Sequence, residues 1–189
     1  QHTRDYWKEW SNKYQPDLKN LSPKAKSLWK RSLLMVRSQI DNRGAIIASN
    51  DSDIMKFNKD TYTYMWPRDG ALVSMALSRT QYFEVVKKFI KFCSKIVTED
   101  GYVLHKFFPD TALGSSWHPK YKDGKTQLPI QEDESALILV AMWEFYDHSK
   151  SLEVIQENFN HMVLKIGNFL INYVDKNGIP KPSYDPWEE

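Results

Sequence analysis

Ala136-Leu137-Ile138-Leu139-Val140-Ala141-Met142-Trp143 is an unbroken apolar run in a chain otherwise dense in charge. A helix on a protein surface carries one apolar stripe and a polar opposite face; a helix apolar on every side is buried on every side. Glu132, Asp133 and Glu134 precede the run and are the acids a helical first turn favours, so the spacing predicts a buried helix starting near Glu132. Ala71, Leu72, Val73, Met75, Ala76 and Leu77, following Arg68, form a second run of the same kind.

Working outward, three further helices have the opposite character. One starts after Ser22, with Pro23 at its first position, and reaches about Asn42 with Ala25, Leu28, Trp29, Leu33, Val36 and Ile40 on one stripe. Another spans about Gln81 to Val97, with Tyr82, Val85, Val86, Phe89, Phe92, Cys93 and Ile96 in register. A third runs from about Ser151 to Val174, carrying Leu152, Ile155, Phe159, Met162, Ile166, Phe169 and Leu170. Amphipathic and all-apolar helices therefore alternate along the chain, the pattern of a double-layered toroid of outer and inner helices.

The connections alternate as well. Those after the second and fourth helices are short, and those after the first, third and fifth are long and rich in aromatics. In an antiparallel array, links of one parity leave at one end of the bundle. Trp66, Arg68, Asp69, Trp117 and Glu188 are thereby expected to gather at one mouth, where aromatic faces beside fixed charges suit a neutral, multiply hydroxylated ring.

Composition narrows the field. The 189 residues are 41% hydrophobic with 7 Trp, 10 Tyr and 9 Phe, and the formal net charge is +2 with acids and bases interspersed. No basic block suggests a nucleic-acid partner, and no apolar run reaches membrane-spanning length. Cys93 is the lone cysteine, which excludes an internal disulfide and leans toward a reducing, cytoplasmic compartment while leaving localisation open. The five His have no metal-ligand spacing, and no glycine-rich phosphate loop is present, so no metal or cofactor is expected. The chain begins with Gln and stops just after its best candidate acid, and we read it as a segment of a longer enzyme.

Three ordered motifs carry a family resemblance: Tyr62-x-Tyr64-x-Trp66-x-Arg68-Asp69, then Leu128-Pro129-Ile130-Gln131-Glu132-Asp133-Glu134-x-Ala136-Leu137, then Tyr184-Asp185-x-Trp187-Glu188-Glu189. Together they resemble glycoside hydrolase family 15, the glucoamylase family, near its bacterial and archaeal branch. The resemblance implies an (α/α)6 barrel of six outer and six inner helices. Residues 1–189 would form the first half of that catalytic domain, with a β-sandwich domain upstream and the second half of the barrel downstream.

The resemblance also implies roles. Glu188 corresponds to the general acid of an inverting glycosidase, with the general base in the missing half. Trp187 and Glu189 would shape the acid's surroundings. Arg68 and Asp69 would clamp the hydroxyls of a terminal glucose, Tyr62 and Trp66 would pack on its ring, and Trp117 would form a shelf for the leaving sugar. Pro186 departs from the Leu or Met common at that place.

Each of these residues also has a plainer reading. Arg68 and Asp69 form a helix-start ion pair, the aromatics are core, and Glu188-Glu189 is a solvated acidic end. The implied activity is release of glucose from the non-reducing ends of α-linked glucans or oligosaccharides. Trehalose or α-1,6-glucan hydrolysis, of the glucodextranase type, is the alternative, and a non-catalytic sugar-binding relic is the contrasting class.

Overall fold

The computed structural model describes residues 1–14, 16–50, 62–114 and 120–184. The helices are α1 (His2–Asn12), α2 (Pro23–Ser38), α3 (Pro67–Arg79), α4 (Phe83–Ile96), α5 (Glu132–Ser149), α6 (Leu152–Asn158) and α7 (Leu164–Asn172). A π-helical turn, Phe159–Val163, joins α6 to α7. The only strands among the described residues are a small antiparallel hairpin, β1 (Lys120–Lys122) and β2 (Lys125–Gln127), with Lys120 opposite Gln127. The chain is thus all-α in character, and the five expected helices are present.

Their ends differ in instructive ways. Ser22 caps α2 by accepting the Ala25 N–H at 3.2 Å, as Ser before Pro predicts. That helix stops at Ser38, short of Asn42, because Ile40 leaves it to bridge Ile46 across a tight turn. The expected helix from Ser151 to Val174 is interrupted by the π turn. Val154, Asn158, Met162 and Ile166, the buried residues of this stretch, recur at every fourth position. A plain α-helix would carry such a row off the core by about 40° per step; the wider π turn takes up the drift. Helix α1 was not foreseen. It packs through Trp10, whose ring lies 4.5 Å from that of buried Tyr82 and whose carbonyl accepts the Tyr82 hydroxyl at 3.1 Å.

Helices α3 and α5 make the most extensive helix pair. Arg68 meets Gln131 at their N-termini, and Arg79 meets Glu144 at their C-termini, so the two run parallel in register. Helix α4 covers them with Val86, Phe89, Ile90, Phe92 and Cys93, all at or below 1% exposure. Burial pushes the Cys93 thiol pKa up, which makes it an inert core residue. The other flank is different. Leu72 on α3 and Val140 and Trp143 on α5 are exposed, so the expected burial on both sides is met on one side only.

One device recurs after three helices. Asp41 to Gly44 follows α2, Thr98 to Gly101 follows α4, and Asp175 to Gly178 follows α7. In each, the first residue's N–H donates to the carbonyl four positions on, and the glycine N–H donates back to the first residue's carbonyl. The three glycines have φ of +106°, +91° and +77°, the left-handed region that only glycine enters without strain. The repeat lies in the backbone rather than in the side chains, since Thr98 differs from Asp41 and Asp175 and only the glycines are common to all three.

Candidate active site

Pro67 occupies the first helical position of α3, where its missing N–H is not needed. Trp66 is therefore held extended (φ −94°, ψ 126°) just outside the helix, with Arg68 and Asp69 in the first turn. Gln131 plays the same part at the start of α5 (φ −89°, ψ 123°). Because α3 and α5 are parallel, the positive ends of both helix dipoles face the same side. There they favour Asp69, Glu132 and Asp133.

The long connections converge on this end. Met65 and Phe107 exchange both backbone hydrogen bonds, at 2.8 and 2.9 Å, which ties the segment before α3 to the one before α5. The segment after α7 joins them where the Tyr184 N–H donates to the Leu128 carbonyl at 2.7 Å. Three stretches far apart in sequence thus meet at one mouth, as their parity predicts.

Arg68 is the hub. One guanidinium nitrogen donates to Gln131 Oε1 at 2.6 Å and lies 3.5 Å from Asp133 Oδ1, and another lies 3.7 Å from Asp69 Oδ2. Arg68 is largely covered, whereas both aspartates are half exposed and open to a ligand. A planar cation fixed between an amide and two accessible carboxylates offers donors and acceptors side by side, which is what vicinal hydroxyls require.

An aromatic wall adjoins the hub. The Trp66 ring lies 5.9 Å from Tyr62 at 33° and 5.8 Å from Tyr64 edge-on. Lys106 places its ammonium 4.5 Å from the Tyr64 centroid and 5.7 Å from that of Trp66, within cation–π range. The Trp66 indole N–H donates to His105 Nε2 at 3.2 Å. His105 is buried, and desolvation first, then the charges of Lys106 and Arg68, lower its pKa to about 4.

The expected residues Tyr62, Trp66, Arg68 and Asp69 are therefore brought together. Trp117, Trp187, Glu188 and Glu189 lie outside the described residues. Gln131, named in a motif and given no firm role, proves to be the amide that holds Arg68. His105 and Lys106 were missed, because both alternating faces of Val103 to Phe108 carry apolar residues and only the structure shows which face is buried. Val103, His105 and Phe107 alternate with Leu104, Lys106 and Phe108, the period of an extended segment with one buried face. Glu134 is fully buried, which a first-turn dipole preference alone does not foretell. Among the described residues no cluster of His, Cys, Asp or Glu could hold a metal ion.

Comparison with known proteins bears on this arrangement. The family model described as glycosyl hydrolases family 15 matches residues 23–189. A Methanocaldococcus jannaschii protein named as an uncharacterized glycosyl hydrolase is 29% identical over 194 residues, covering 98% of this chain. The chain spans 27% of that relative's length. No solved structure matches.

Proposed function

The chain belongs to glycosyl hydrolase family 15, and on that premise we propose that it forms the general-acid half of an inverting exo-glycosidase that releases glucose from the non-reducing ends of α-linked glucans. The observation that carries this reading is the Arg68 hub beside the Trp66 wall, a polar clamp next to an apolar face at the mouth of two parallel helices.

In this reading Arg68 and Asp69 take hydroxyls of the terminal glucose, and Tyr62 and Trp66 pack on the C–H face of its ring. Trp117 supports the leaving sugar. Glu188 protonates the glycosidic oxygen while water attacks the anomeric carbon from the opposite face, and Trp187 and Glu189 keep that acid protonated. The water is activated by a carboxylate about 6.5–9.5 Å away, as inversion requires. That base, and the rest of the wall, come from sequence beyond these 189 residues.

The same reading takes residues 1–189 as part of one (α/α)6 catalytic domain, with α2, α4 and α6–α7 as outer helices and α3 and α5 as inner ones. The repeated glycine turn after each outer helix supports this, as do the parallel inner pair and the exposed Leu72, Val140 and Trp143.

The test is proton NMR of maltotriose incubated with the full-length protein. Initial appearance of β-glucose is the expected result, and Glu188→Gln should then lower kcat by several orders of magnitude while sparing maltose binding. Initial α-glucose would exclude inversion. Activity confined to trehalose or isomaltose would move the linkage, and no activity on any of the three would leave a sugar-binding protein.

A further inference from the structure

Tyr64 stands in the middle of the motif that supplies Tyr62, Trp66, Arg68 and Asp69, and the proposed site gives it no task. The backbone around it is a small antiparallel arrangement of three extended stretches. Met65 bridges Phe107, and Phe107 bridges Leu113. That register sets Trp66, Lys106 and Gly114 in one row across the stretches and Tyr64 and Phe108 in the next. Alternate residues of an extended stretch share a face, so the two rows lie on one side. The Gly114 N–H donates to the Lys106 carbonyl at 2.9 Å, and the Ala48 N–H donates to the Tyr64 carbonyl at 3.0 Å, which fixes the backbone on both sides.

The first row has a gap where Gly114 carries no side chain, and the Tyr64 ring fills it. Aromatic rings commonly cover a glycine of a nearby strand, which has nothing of its own to pack. A methyl group added at Gly114 would lie 2.7 and 2.8 Å from two carbons of the Tyr64 ring. That is well inside the separation of about 3.5–4.0 Å at which carbons attract. Gly114 is not among the residues of positive φ, so its bareness is a matter of space rather than of backbone freedom. The same ring meets Phe108 at 4.8 Å between centroids, the Lys106 ammonium at 4.5 Å, and Trp66 edge-on at 5.8 Å and 89°. A ring packed in this way cannot tilt without moving its neighbours.

We propose that Tyr64 is a positioning residue for Trp66, and that the missing side chain at Gly114 is what lets the Tyr64 ring hold the indole edge-on. The inference rests on the proposed sugar site for its effect on substrate, whereas the packing of Gly114, Tyr64 and Trp66 stands without turnover. Trp66 has a second restraint, its indole N–H donating to His105 Nε2 at 3.2 Å. That bond fixes one edge of the indole, and Tyr64 fixes the tilt of its plane. A wall freed to tilt packs less well on the sugar in ground state and transition state alike, so the loss falls mainly on KM.

The test is a double-mutant cycle in the full-length protein. Gly114→Ala pushes the ring from its place, Tyr64→Ala removes the ring, and Tyr64→Phe loses only the hydroxyl. An aromatic pair is worth about threefold to tenfold in an equilibrium, so Gly114→Ala and Tyr64→Ala should each raise KM for maltotriose by that factor, with a smaller change in kcat. Tyr64→Phe should stay near the wild-type value. In the Tyr64→Ala background, Gly114→Ala should add little, because the ring carbons that its methyl overlaps are gone.

Independently of activity, the ring-proton signals of the Trp66 indole, identified by their loss in Trp66→Phe, should move in Gly114→Ala and Tyr64→Ala and hold still in Tyr64→Phe. An unchanged KM or unmoved indole signals in both alanine variants would overturn the proposal. So would penalties that multiply in the double variant, which would leave the methyl acting on the Lys106 carbonyl oxygen, 3.3 Å from it. If Gly114→Ala does not fold, Tyr64→Ala against Tyr64→Phe decides alone, and equal KM values in the two would overturn it. Indole signals that move in a protein that hydrolyses nothing would instead sink the enzymatic reading and leave the positioning of Trp66 intact.

Discussion

The turns at Gly44 and Gly101 and the turn at Gly178 share one backbone and differ in their surroundings. A methyl group added at Gly44 would overlap the Lys88 carbonyl of α4, and one added at Gly101 would overlap the Lys165 carbonyl of α7. At Gly178 it would meet nothing within 4 Å among the described residues. The first two turns therefore serve twice, reversing the chain after one helix and seating against the backbone of a later helix, α4 for Gly44 and α7 for Gly101. The third reverses the chain and seats against nothing among the described residues. Local turn chemistry is set by sequence alone, whereas the need for glycine in the packing sense exists only where a neighbour arrives.

That comparison is broken most directly at the first two turns. Gly44→Ala and Gly101→Ala each combine a positive φ with overlap against a helix backbone that cannot rotate away. A cost of about 3–5 kcal/mol is expected for each, enough to consume much of a domain's stability. Urea denaturation followed by circular dichroism measures it. A loss below about 1 kcal/mol at either site would mean that the next helix does not rest on the turn.

A smaller effect probes how the loops behind the turns are anchored. Two residues after Gly101, the Val103 N–H donates at 3.0 Å to the Ser135 hydroxyl of α5, with both residues buried. The corresponding place after Gly178 is Pro180, which has no N–H to satisfy. Ser135→Ala leaves a buried donor without its acceptor and should lower stability by about 1–3 kcal/mol in the same assay. Ser135→Thr retains the hydroxyl, so recovery there would separate the lost hydrogen bond from lost volume.

What the sequence made legible follows the same division between local and neighbour-dependent physics. The Ser22-Pro23 start, the all-apolar run at Ala136 to Trp143 and the Pro67 entry to Arg68 and Asp69 are encoded within a few residues, and each was readable. The meeting of the long loops was readable too, because helix parity requires it. Helix α1 was not, since its apolar residues are sparse and its docking depends on Tyr82, far along the chain. The repeated turn was hidden because Asp41, Thr98 and Asp175 begin it with different side chains, and only the glycines are common. His105 escaped notice because an imidazole in an alternating segment becomes informative only when Trp66 is seen beside it. Trp117 and Glu188 were readable as motif residues and lie outside the described residues, so the clamp side of the site is the side with geometry.

The smallest expected effect is the one that sharpens the comparison. In the 189-residue chain, Gly178→Ala meets only the cost of placing a side chain at φ +77°, about 1 kcal/mol. Ile171 near the end of α7 and Ile179 beside the glycine are more than half exposed, so the surface around this turn is apolar as well as open. If the proposed barrel continues there, the full-length protein should seat its next outer helix on Gly178 as α4 sits on Gly44 and α7 on Gly101. The same substitution would then cost about 3–5 kcal/mol in the longer protein. A cost that rises with chain length makes the third turn a socket of the same kind as the first two. An equal, small cost in both would mean that the repeat ends at α7, and the toroid reading would have to be given up on that flank.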